Sequence, residues 1–506
     1  MRSNRSDPSK LPMADYANYE GRKESAPSFE AEERVVLNVG GVKFETYRST
    51  LVQQTGNLLS AMFSERNKQM LKADKHGEYF FDRDPSCFNV ILNYFRTGKL
   101  LVPSNISEEL MKEEFAFFQI ELSPNVDSEA AVYAWGRGEY GQLGHGSRQG
   151  ANFPKLVSMP QNVVVVKLSL GTSHSCALCT YGNVYSWGYG GDGRLGHGDE
   201  EDVLVPKMIE SLQNEHLVDI DCGELHSGAT TETGKVFLWG FGKNGRLGLG
   251  NNTENRLTPT CVEEGFLGFD IASISCGGLH TACLSSRGEI FTFGLGKDGR
   301  LGHGNEDNSH RPQMVQFFGR IKIAQVICGG HHTSALDVEG RIWTWGFDDD
   351  GRLGHGTPGH QFIPLVVESL VHKKIVSVAC GCWHSAALAD DGTVFTWGSC
   401  KSGQLGLGDK SPVPVPRVCL QGIGQGRIKE IACGTAHTVA LTEGGNVFCW
   451  GKNEDGRLGL DATGDVTTPS VVPLDGAPMT HIAASVYSTA AWYVPPNVPE
   501  GEEDDA

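Results

Sequence analysis

A unit of about 52 residues repeats along most of this chain, and a repeat of that length strongly limits the folds open to it. Pentapeptides of the form VF-x-WG return with an aromatic fourth residue, at spacings of 52, 52, 54, 52, 52 and 53. The seven aromatic residues are Trp135, Trp187, Trp239, Phe293, Trp345, Trp397 and Trp450. A fixed period of roughly 20–50 residues indicates a solenoid, a propeller or an array.

Each unit also contains a CG-x-x-H segment in register with the first motif. Its histidines are His174, His226, His280, His332, His384 and His437. Short stretches such as Val394–Trp397 alternate apolar and polar residues, which is typical of strands. Steps such as Asp298-Gly299 indicate tight turns between them. Gly is abundant, with 65 of 506 residues, and no helical period is present in this half. We therefore predict an all-β propeller of seven blades.

The two ends of the repeat region predict that the propeller closes on itself. The first unit begins with VYAWG and has no CG-x-x-H strand before it, whereas the last ends in HIAASVYSTAAWYV and has no VF-x-WG strand after it. Pairing the two ends would complete one blade and remove two exposed sheet edges. In the last unit, Tyr487 is predicted to stand where the other units have His.

VF-x-WG, GRLGHG and CG-x-x-HT-x-AL together resemble the regulator of chromosome condensation repeat family over residues 131–494. The founding member is a guanine-nucleotide exchange factor for the small GTPase Ran, so exchange on a Ran-like GTPase is the alternative function. Unit lengths of 52–54 leave no room for the wedge that this member inserts into its GTPase. A plant member senses ultraviolet-B light with clustered Trp residues in the CG-x-x-H strands. Here Trp383 alone lies in such a strand, so light sensing is not expected.

Residues 34–121 have mixed helix and strand patterning. VVLNVGGVKFETY predicts a hairpin around Gly40-Gly41, followed by a helix capped by Ser49 or Thr50. YFFDRDPS predicts a strand and then a helix with Asp84 as N-cap, Pro85 first and Gly98 just past its end. Residues 108–119 predict a last helix, capped by Ser107.

LNVGG-x-x-F-x-T, YFFDRDP, ILNYFRTGKL and EFAFFQIEL occur in that order and resemble the potassium-channel tetramerisation domain, a branch of the BTB/POZ fold. The resemblance implies a small α/β domain that forms homo-oligomers of four or five subunits. It also implies a cullin as a partner, because many soluble members are adaptors of cullin-based ubiquitin ligases. Some channel members hold zinc through a His and clustered Cys, but this domain has only His76 and Cys87, so no zinc is predicted.

Charge and hydropathy limit the remaining partners. The formal net charge is −18, so neither nucleic acid nor an anionic membrane is an expected partner. No apolar run reaches 18 residues, and the first residues lack the apolar core of a signal peptide. Fourteen Cys without a secretion signal predict reduced thiols in the cytoplasm, with the nucleus as a second location. Residues 1–33 are predicted to be a disordered lead, 122–130 a linker and 495–506 an acidic tail.

We predict no enzyme activity, no cofactor and no metal. Histidines repeated once per blade are best explained as structural hydrogen bonders that tie strand to turn. Cys176 and Cys179 form a lone C-x-x-C pair, and positions i and i+3 of a strand face opposite ways, which is poor for zinc. No phosphate-binding G-x-x-x-x-G-K-[ST] sequence is present.

The predicted partner-binding residues lie in two segments. Trp383 is an aromatic residue outside the VF-x-WG pattern and is a candidate anchor for a protein ligand. Asp348, Asp349 and Asp350 form the most acidic of the seven variable turns and would suit a basic partner. We therefore predict a multidomain, homo-oligomeric scaffold that acts as a substrate adaptor for a cullin-based ubiquitin ligase, with the propeller as its partner-binding platform.

Overall fold

The computed structural model describes residues 33–52, 57–67, 71–97, 106, 108–120, 131–160, 163–250, 253–420, 426–474 and 478–495. The chain divides into two compact units, Met1–Pro124 and Asn125–Ala506. Residues 1–32, 121–130 and 496–506 fall outside the described residues, and with them almost all of the predicted lead, linker and tail. Within the described part of the chain, no helix is long and apolar enough to span a membrane.

The first unit is a small α/β domain. Its strands are β1 (Arg34–Val39), β2 (Val42–Tyr47) and β3 (Glu78–Phe81), and its helices are α1 (Arg48–Val52), α2 (Leu58–Phe63), α3 (Pro85–Thr97) and α4 (Glu108–Phe118). The sheet order is β2-β1-β3, with β1 antiparallel to β2 and parallel to β3. One face of the sheet packs against the helices, and a cluster of Phe81, Phe88 and Phe118 lies at the centre of this core.

Local signals predicted most of these elements and failed at one helix start. The hairpin turns at Gly40-Gly41 as predicted, and the Asp84 carboxylate accepts hydrogen bonds from the backbone N–H groups of Ser86 and Cys87. The prediction that Ser49 or Thr50 caps α1 is wrong, because the helix follows β2 directly and already begins at Arg48. The predicted cap Ser107 and the predicted end residue Gly98 lie outside the described residues.

The second unit consists of short strands joined by turns. In chain order the strands are β4 (Val132–Gly136), β5 (Ala151–Leu156), β6 (Val165–Leu170), β7 (His174–Cys179), β8 (Val184–Gly188), β9 (Val203–Met208), β10 (Leu217–Cys222), β11 (His226–Thr231), β12 (Val236–Gly240), β13 (Arg256–Cys261), β14 (Ile271–Cys276), β15 (His280–Ser285), β16 (Ile290–Gly294), β17 (Ser309–Met314), β18 (Ile323–Cys328), β19 (His332–Asp337), β20 (Ile342–Gly346), β21 (Gln361–Val366), β22 (Ile375–Cys380), β23 (His384–Ala389), β24 (Val394–Gly398), β25 (Val413–Leu420), β26 (Ile428–Cys433), β27 (His437–Thr442), β28 (Val447–Gly451), β29 (Val466–Val471), β30 (His481–Ala484) and β31 (Ser488–Trp492).

These strands form seven antiparallel four-stranded sheets, the blades of a propeller. Blades one to six are β6–β9, β10–β13, β14–β17, β18–β21, β22–β25 and β26–β29, each in sequence order. Blade seven has the order β30-β31-β4-β5, so it joins the last two strands to the first two, as predicted. Ser488 pairs with Gly136 as His437 pairs with Gly451 in blade six. Ser488 therefore takes the place of the repeated His, and the assignment of Tyr487 to that place is wrong by one residue.

The fourth strand of each blade is its outer edge and carries proline. These residues are Pro154, Pro206, Pro259, Pro312, Pro364, Pro414, Pro416 and Pro469. Proline has no N–H to donate and is tolerated on edge strands, where it discourages pairing with another chain. The blades are thus built to contact one another face to face rather than to add strands at their outer edges.

Candidate partner-binding face

The repeated Trp residues join neighbouring blades. Trp345 is fully buried, and its Nε1–H donates to the backbone oxygen of Arg300 in the preceding blade at 3.0 Å. A Cβ added at Gly302, where φ is +78°, would meet the same Trp345 nitrogen at 2.8 Å. The last glycine of the GRLG motif therefore leaves space for the indole ring of the next blade. The same Nε1–H bond is made by Trp187, Trp239, Trp397 and Trp450.

The CG-x-x-H histidines also connect blades, which corrects the prediction that they tie strand to turn. The Nε2 atom of His280 lies 2.9 Å from the Thr333 hydroxyl oxygen of the next blade. The other five pairs are His174–Ser227, His226–Thr281, His332–Ser385, His384–Thr438 and His437–Thr489. Burial lowers the pKa of the His384 imidazole to about 3 and holds those of His226, His280, His332 and His437 well below their usual range, so neutral rings are favoured there.

The LGHG histidines match the structural role predicted for repeated histidines. The Nε2 atom of His355 lies 2.9 Å from the Thr344 hydroxyl oxygen within one blade, which ties the turn back to its strand. His197 and His303 make the equivalent contacts to Ser186 and Thr292. Both sets of histidines are therefore occupied in packing.

The fourteen cysteines are free thiols, and nine of them are buried. Cys176 and Cys179 belong to hydrophobic clusters on opposite faces of one sheet, as the i, i+3 argument requires. Burial raises the pKa of Cys179 to about 12 and, in the first unit, that of Cys87 to about 11. Among the described residues, no three His, Cys, Asp or Glu side chains come together in a way that could hold a metal ion.

Buried arginines support the face of the propeller that carries the CG-x-x-H turns. They are the Arg residues of the GRLG motifs, namely Arg194, Arg246, Arg300, Arg352 and Arg457. Three of them donate to carbonyl oxygens of these turns, Arg246 to Gly278 at 3.1 Å, Arg352 to Cys382 at 2.6 Å and Arg457 to Val486 at 2.7 Å. Their positions explain why a charged residue recurs at a site that is closed to water.

Trp383 and the acidic turn meet at one of these arginines. The guanidinium carbon of Arg352 lies 4.9 Å from the ring centroid of Trp383 and 4.7 Å from that of Phe347. Its Nη2 atom donates to the Asp350 carboxylate at 3.3 Å. The His331 ring lies 5.8 Å from that of Trp383. We call Trp383, Phe347, His331 and Arg352 the Trp383 patch.

The four predicted partner-binding residues differ in exposure. Trp383 is 39% exposed and Asp349 is exposed, so both side chains are accessible from solvent. Asp350 is half-buried by its ion pair with Arg352. Asp348 is 1% exposed and is directed into the protein, so its side chain is not accessible to a partner. Sequence reasoning missed Phe347, His331 and Arg352, although the recurrence of Arg in GRLG was a usable signal for the last of them.

A polar channel lies behind this face. A cavity of about 380 Å³ is lined by the first strand of every blade. At its mouth the Cys382 thiol contacts the Thr435 hydroxyl at 3.2 Å and the Glu224 carboxylate, three blades away, at 3.8 Å. Inside, Lys167 forms an ion pair with Asp219. These residues vary from blade to blade, so the repeat pattern gave no signal for them.

Comparison with protein families divides the chain in the same way. Residues 35–125 match the BTB/POZ domain model. Residues 129–178, 181–230 and 233–284 match the regulator of chromosome condensation (RCC1) repeat, and residues 264–493 match the RCC1-like domain.

Individual relatives are similar over the propeller's share of the length. The ultraviolet-B receptor UVR8 of Arabidopsis thaliana is 36% identical over 362 residues, which cover 70% of this chain and 81% of that protein. The mitochondrial RCC1 domain-containing protein RUG3 of the same plant is 32% identical, covering 69% and 84%. The human E3 ubiquitin-protein ligase HERC2 is 38% identical over 322 residues, but these span 63% of this chain and only 7% of HERC2.

Two solved structures share the fold. Human WBSCR16 superposes with a TM-score of 0.65 at 23% identity, covering 72% of this chain and 99% of its own. Prp20p of Saccharomyces cerevisiae, described with its binding to Gsp1p and histones, gives 0.64 at 21% identity, covering 76% and 94%. At these identities the likeness establishes the propeller architecture alone.

Proposed function

Because the chain belongs to the RCC1 repeat family and joins its propeller to a BTB/POZ domain of the potassium-channel tetramerisation type, we propose that it is a homo-oligomeric adaptor. Its two domains make it a protein-interaction scaffold. In this proposal the BTB/POZ domain assembles four or five chains and binds a cullin, and each propeller presents a substrate for ubiquitination. All fourteen Cys are free thiols, which supports a reducing location, the cytoplasm or alternatively the nucleus.

The open face of the BTB/POZ sheet supports oligomerisation. Opposite the core, Phe80 on the edge strand β3 is 61% exposed, and the aromatic side chain of Tyr47 is also exposed. Beside them, Glu78 accepts a hydrogen bond from Asn38 at 2.9 Å and forms an ion pair with Lys43. Apolar groups around an ordered polar pair are suited to a contact between copies of the same domain.

The observation that carries the substrate-binding part is the Trp383 patch. Trp and Arg are enriched among residues that dominate binding energy at protein interfaces. Here Arg352 holds Trp383 by cation–π contact and by a hydrogen bond to the backbone of Cys382, so the exposed indole is already ordered. An ordered anchor loses little conformational entropy on binding. Several patches in one oligomer would add avidity, because each further contact is intramolecular.

Calorimetric titration of the full-length chain with the N-terminal domain of a cullin tests the adaptor proposal. Stoichiometric binding with a dissociation constant of micromolar or below is expected. Trp383→Ala, in the other domain, is the matched control and should bind the cullin unchanged. Absence of heat at protein concentrations far above micromolar would leave a multivalent scaffold without ubiquitin chemistry.

Nucleotide exchange on a Ran-like GTPase is the alternative, and the fold shared with Prp20p is the observation that raises it. The units keep lengths of 52–54 residues, which leaves no room for a wedge insertion. We expect micromolar protein to leave the release of fluorescent GDP from Ran unaccelerated. A concentration-dependent acceleration would favour the exchange function.

A further inference from the structure

One position in the variable turn differs among blades in an informative way. It lies three residues after the blade aromatic residue and is Gly138, Gly190, Gly242 and Gly296 in four blades. A Cβ at each of these would collide with a backbone oxygen, for example that of Asp307 at Gly296. In the other three blades the position is Asp348, Cys400 or Asn453.

Two of these three side chains donate a hydrogen bond to a backbone carbonyl of the same turn. Asn453 accepts from the Leu458 N–H at 3.2 Å and donates through Nδ2 to the Ala462 carbonyl at 2.8 Å. The Cys400 thiol donates to the Asp409 carbonyl at 3.3 Å. In both blades the acceptor is the carbonyl nine residues further along the chain.

Asp348 makes only half of this arrangement. Its Oδ1 atom accepts from the Leu353 N–H at 3.0 Å, as Asn453 does from Leu458. Its Oδ2 atom is buried and has no hydrogen-bond partner. An ionised carboxylate can only accept hydrogen bonds, so it cannot donate to a carbonyl as Asn453 and Cys400 do, whereas a protonated carboxyl can.

The charged groups that face Asp348 do not compensate for its burial. Arg352 attracts the Asp348 carboxylate, but its Nη2 binds Asp350, and Asp349 adds a like charge. The His360 ring accepts the Asp348 backbone N–H at Nδ1, at 3.1 Å. Burial outweighs the hydrogen bond from Leu353 and the attraction of Arg352 and raises the pKa of the Asp348 carboxyl to about 6.

We propose that Asp348 is a proton-binding site that controls the order of the blade-four turn beneath the Trp383 patch. When it is protonated, Asp348 donates to the backbone at Thr357, as Cys400 and Asn453 donate at the equivalent carbonyls. When it is ionised, the buried carboxylate lacks that contact and the turn loosens. Phe347 precedes Asp348, and its ring stacks on His360 at 4.7 Å, so the change reaches the patch directly.

The direction of the pH effect follows from the raised pKa. The folded chain binds a proton that the unfolded chain has lost, because an unfolded Asp titrates near pH 3.9. Stability contributed by this proton therefore falls as the pH rises through about 6 and is absent in alkaline solution. The turn is tighter at pH 5 than at pH 8. This inference concerns the turn itself and holds whatever the propeller binds.

Thermal unfolding of the full-length chain and its Asp348→Asn variant at pH 5 and pH 8 tests the inference. Asn supplies the donor at every pH. The unfolding midpoint of the variant minus that of the parent should therefore be larger at pH 8 than at pH 5, by about 2 °C or more. Other titrating groups are common to both chains and cancel in this difference. Asp349→Asn keeps the Asp348 carboxyl and removes only the neighbouring exposed charge, so its difference from the parent should change far less between pH 5 and pH 8.

Asp348→Cys gives blade four the thiol donor that blade five has at Cys400, and it should show the same pH-dependent difference. This second variant keeps the test valid if the Asn side chain fits poorly. An Asp348→Asn midpoint that keeps a constant distance from the parent, or that shifts as Asp349→Asn does, would overturn the proposal.

Discussion

Thr489 in the last strand of the propeller lies opposite Trp135 in its first strand, so blade seven is held together by both ends of the repeat region. The Thr489 hydroxyl donates to the Arg457 carbonyl at 2.7 Å and accepts from the His437 ring at 2.9 Å. Thr489→Val would leave both partners buried and unsatisfied. We expect it to lower the free energy of unfolding by about 1–3 kcal/mol, measured by urea titration.

Thr468→Val is the matched control for this substitution, because Thr468 is exposed on an outer strand. A change of less than about 0.5 kcal/mol is expected there. Equal effects of the two substitutions would mean that the closing blade does not stabilise the propeller.

The blade tryptophans provide a graded test of packing between blades. Trp397 is fully buried and donates to the Arg352 carbonyl at 2.8 Å, which also accepts from Ser385. Trp397→Phe keeps most of the ring, as Phe293 does naturally in blade three, and should cost about 1–2 kcal/mol. Trp397→Ala leaves a cavity and should cost about 3–5 kcal/mol in the same urea titration. A Phe variant as unstable as the Ala variant would show that the hydrogen bond, and not ring volume, holds the blades.

The buried histidines predict acid sensitivity. Burial holds the pKa values of His226, His280, His332 and His437 well below their usual range. Their contribution to stability is complete above the unfolded pKa of about 6.5 and is lost as the pH falls below it. Each adds up to about 1.4 kcal/mol per pH unit of slope. Unfolding free energies between pH 7.5 and pH 5 should therefore fall steeply.

His280→Gln tests the origin of that slope. The variant keeps a polar side chain beside Thr333 but has no titrating group, so its slope should be smaller by up to about 1.4 kcal/mol per pH unit. An unchanged slope would assign the acid sensitivity to other groups.

The repeat pattern predicted the propeller well because the same contacts recur in each unit. Trp345 and His280 illustrate this. Trp345 donates to a backbone carbonyl of the neighbouring blade and His280 contacts a hydroxyl there, and the corresponding residues of other blades make the same kinds of contact. The pattern failed where the repeat departs from it. In the last unit Ser488 stands in place of the repeated His. Because the CG-x-x-H motif is absent there, the sequence wrongly favours Tyr487, one residue earlier.

The candidate site was harder to predict because exposure depends on the turn and not on the residue type. Three consecutive Asp residues appeared equivalent in the sequence. In the structure Asp349 is exposed, Asp350 pairs with Arg352, and Asp348 is buried because the turn directs it at the Leu353 backbone. Trp383 and this turn are about 35 residues apart in the sequence, and only the fold brings them to the same arginine.

Light scattering of the full-length protein tests whether this scaffold is a homo-oligomer assembled by its BTB/POZ domain. We predict a mass four or five times the 54.7 kDa of one chain. Residues 126–506 alone should be monomeric, and Phe80→Asp should reduce the mass of the full-length protein, because it places a charge on the open sheet face. A full-length protein with the mass of a single chain at micromolar concentration would show that the BTB/POZ domain does not assemble it.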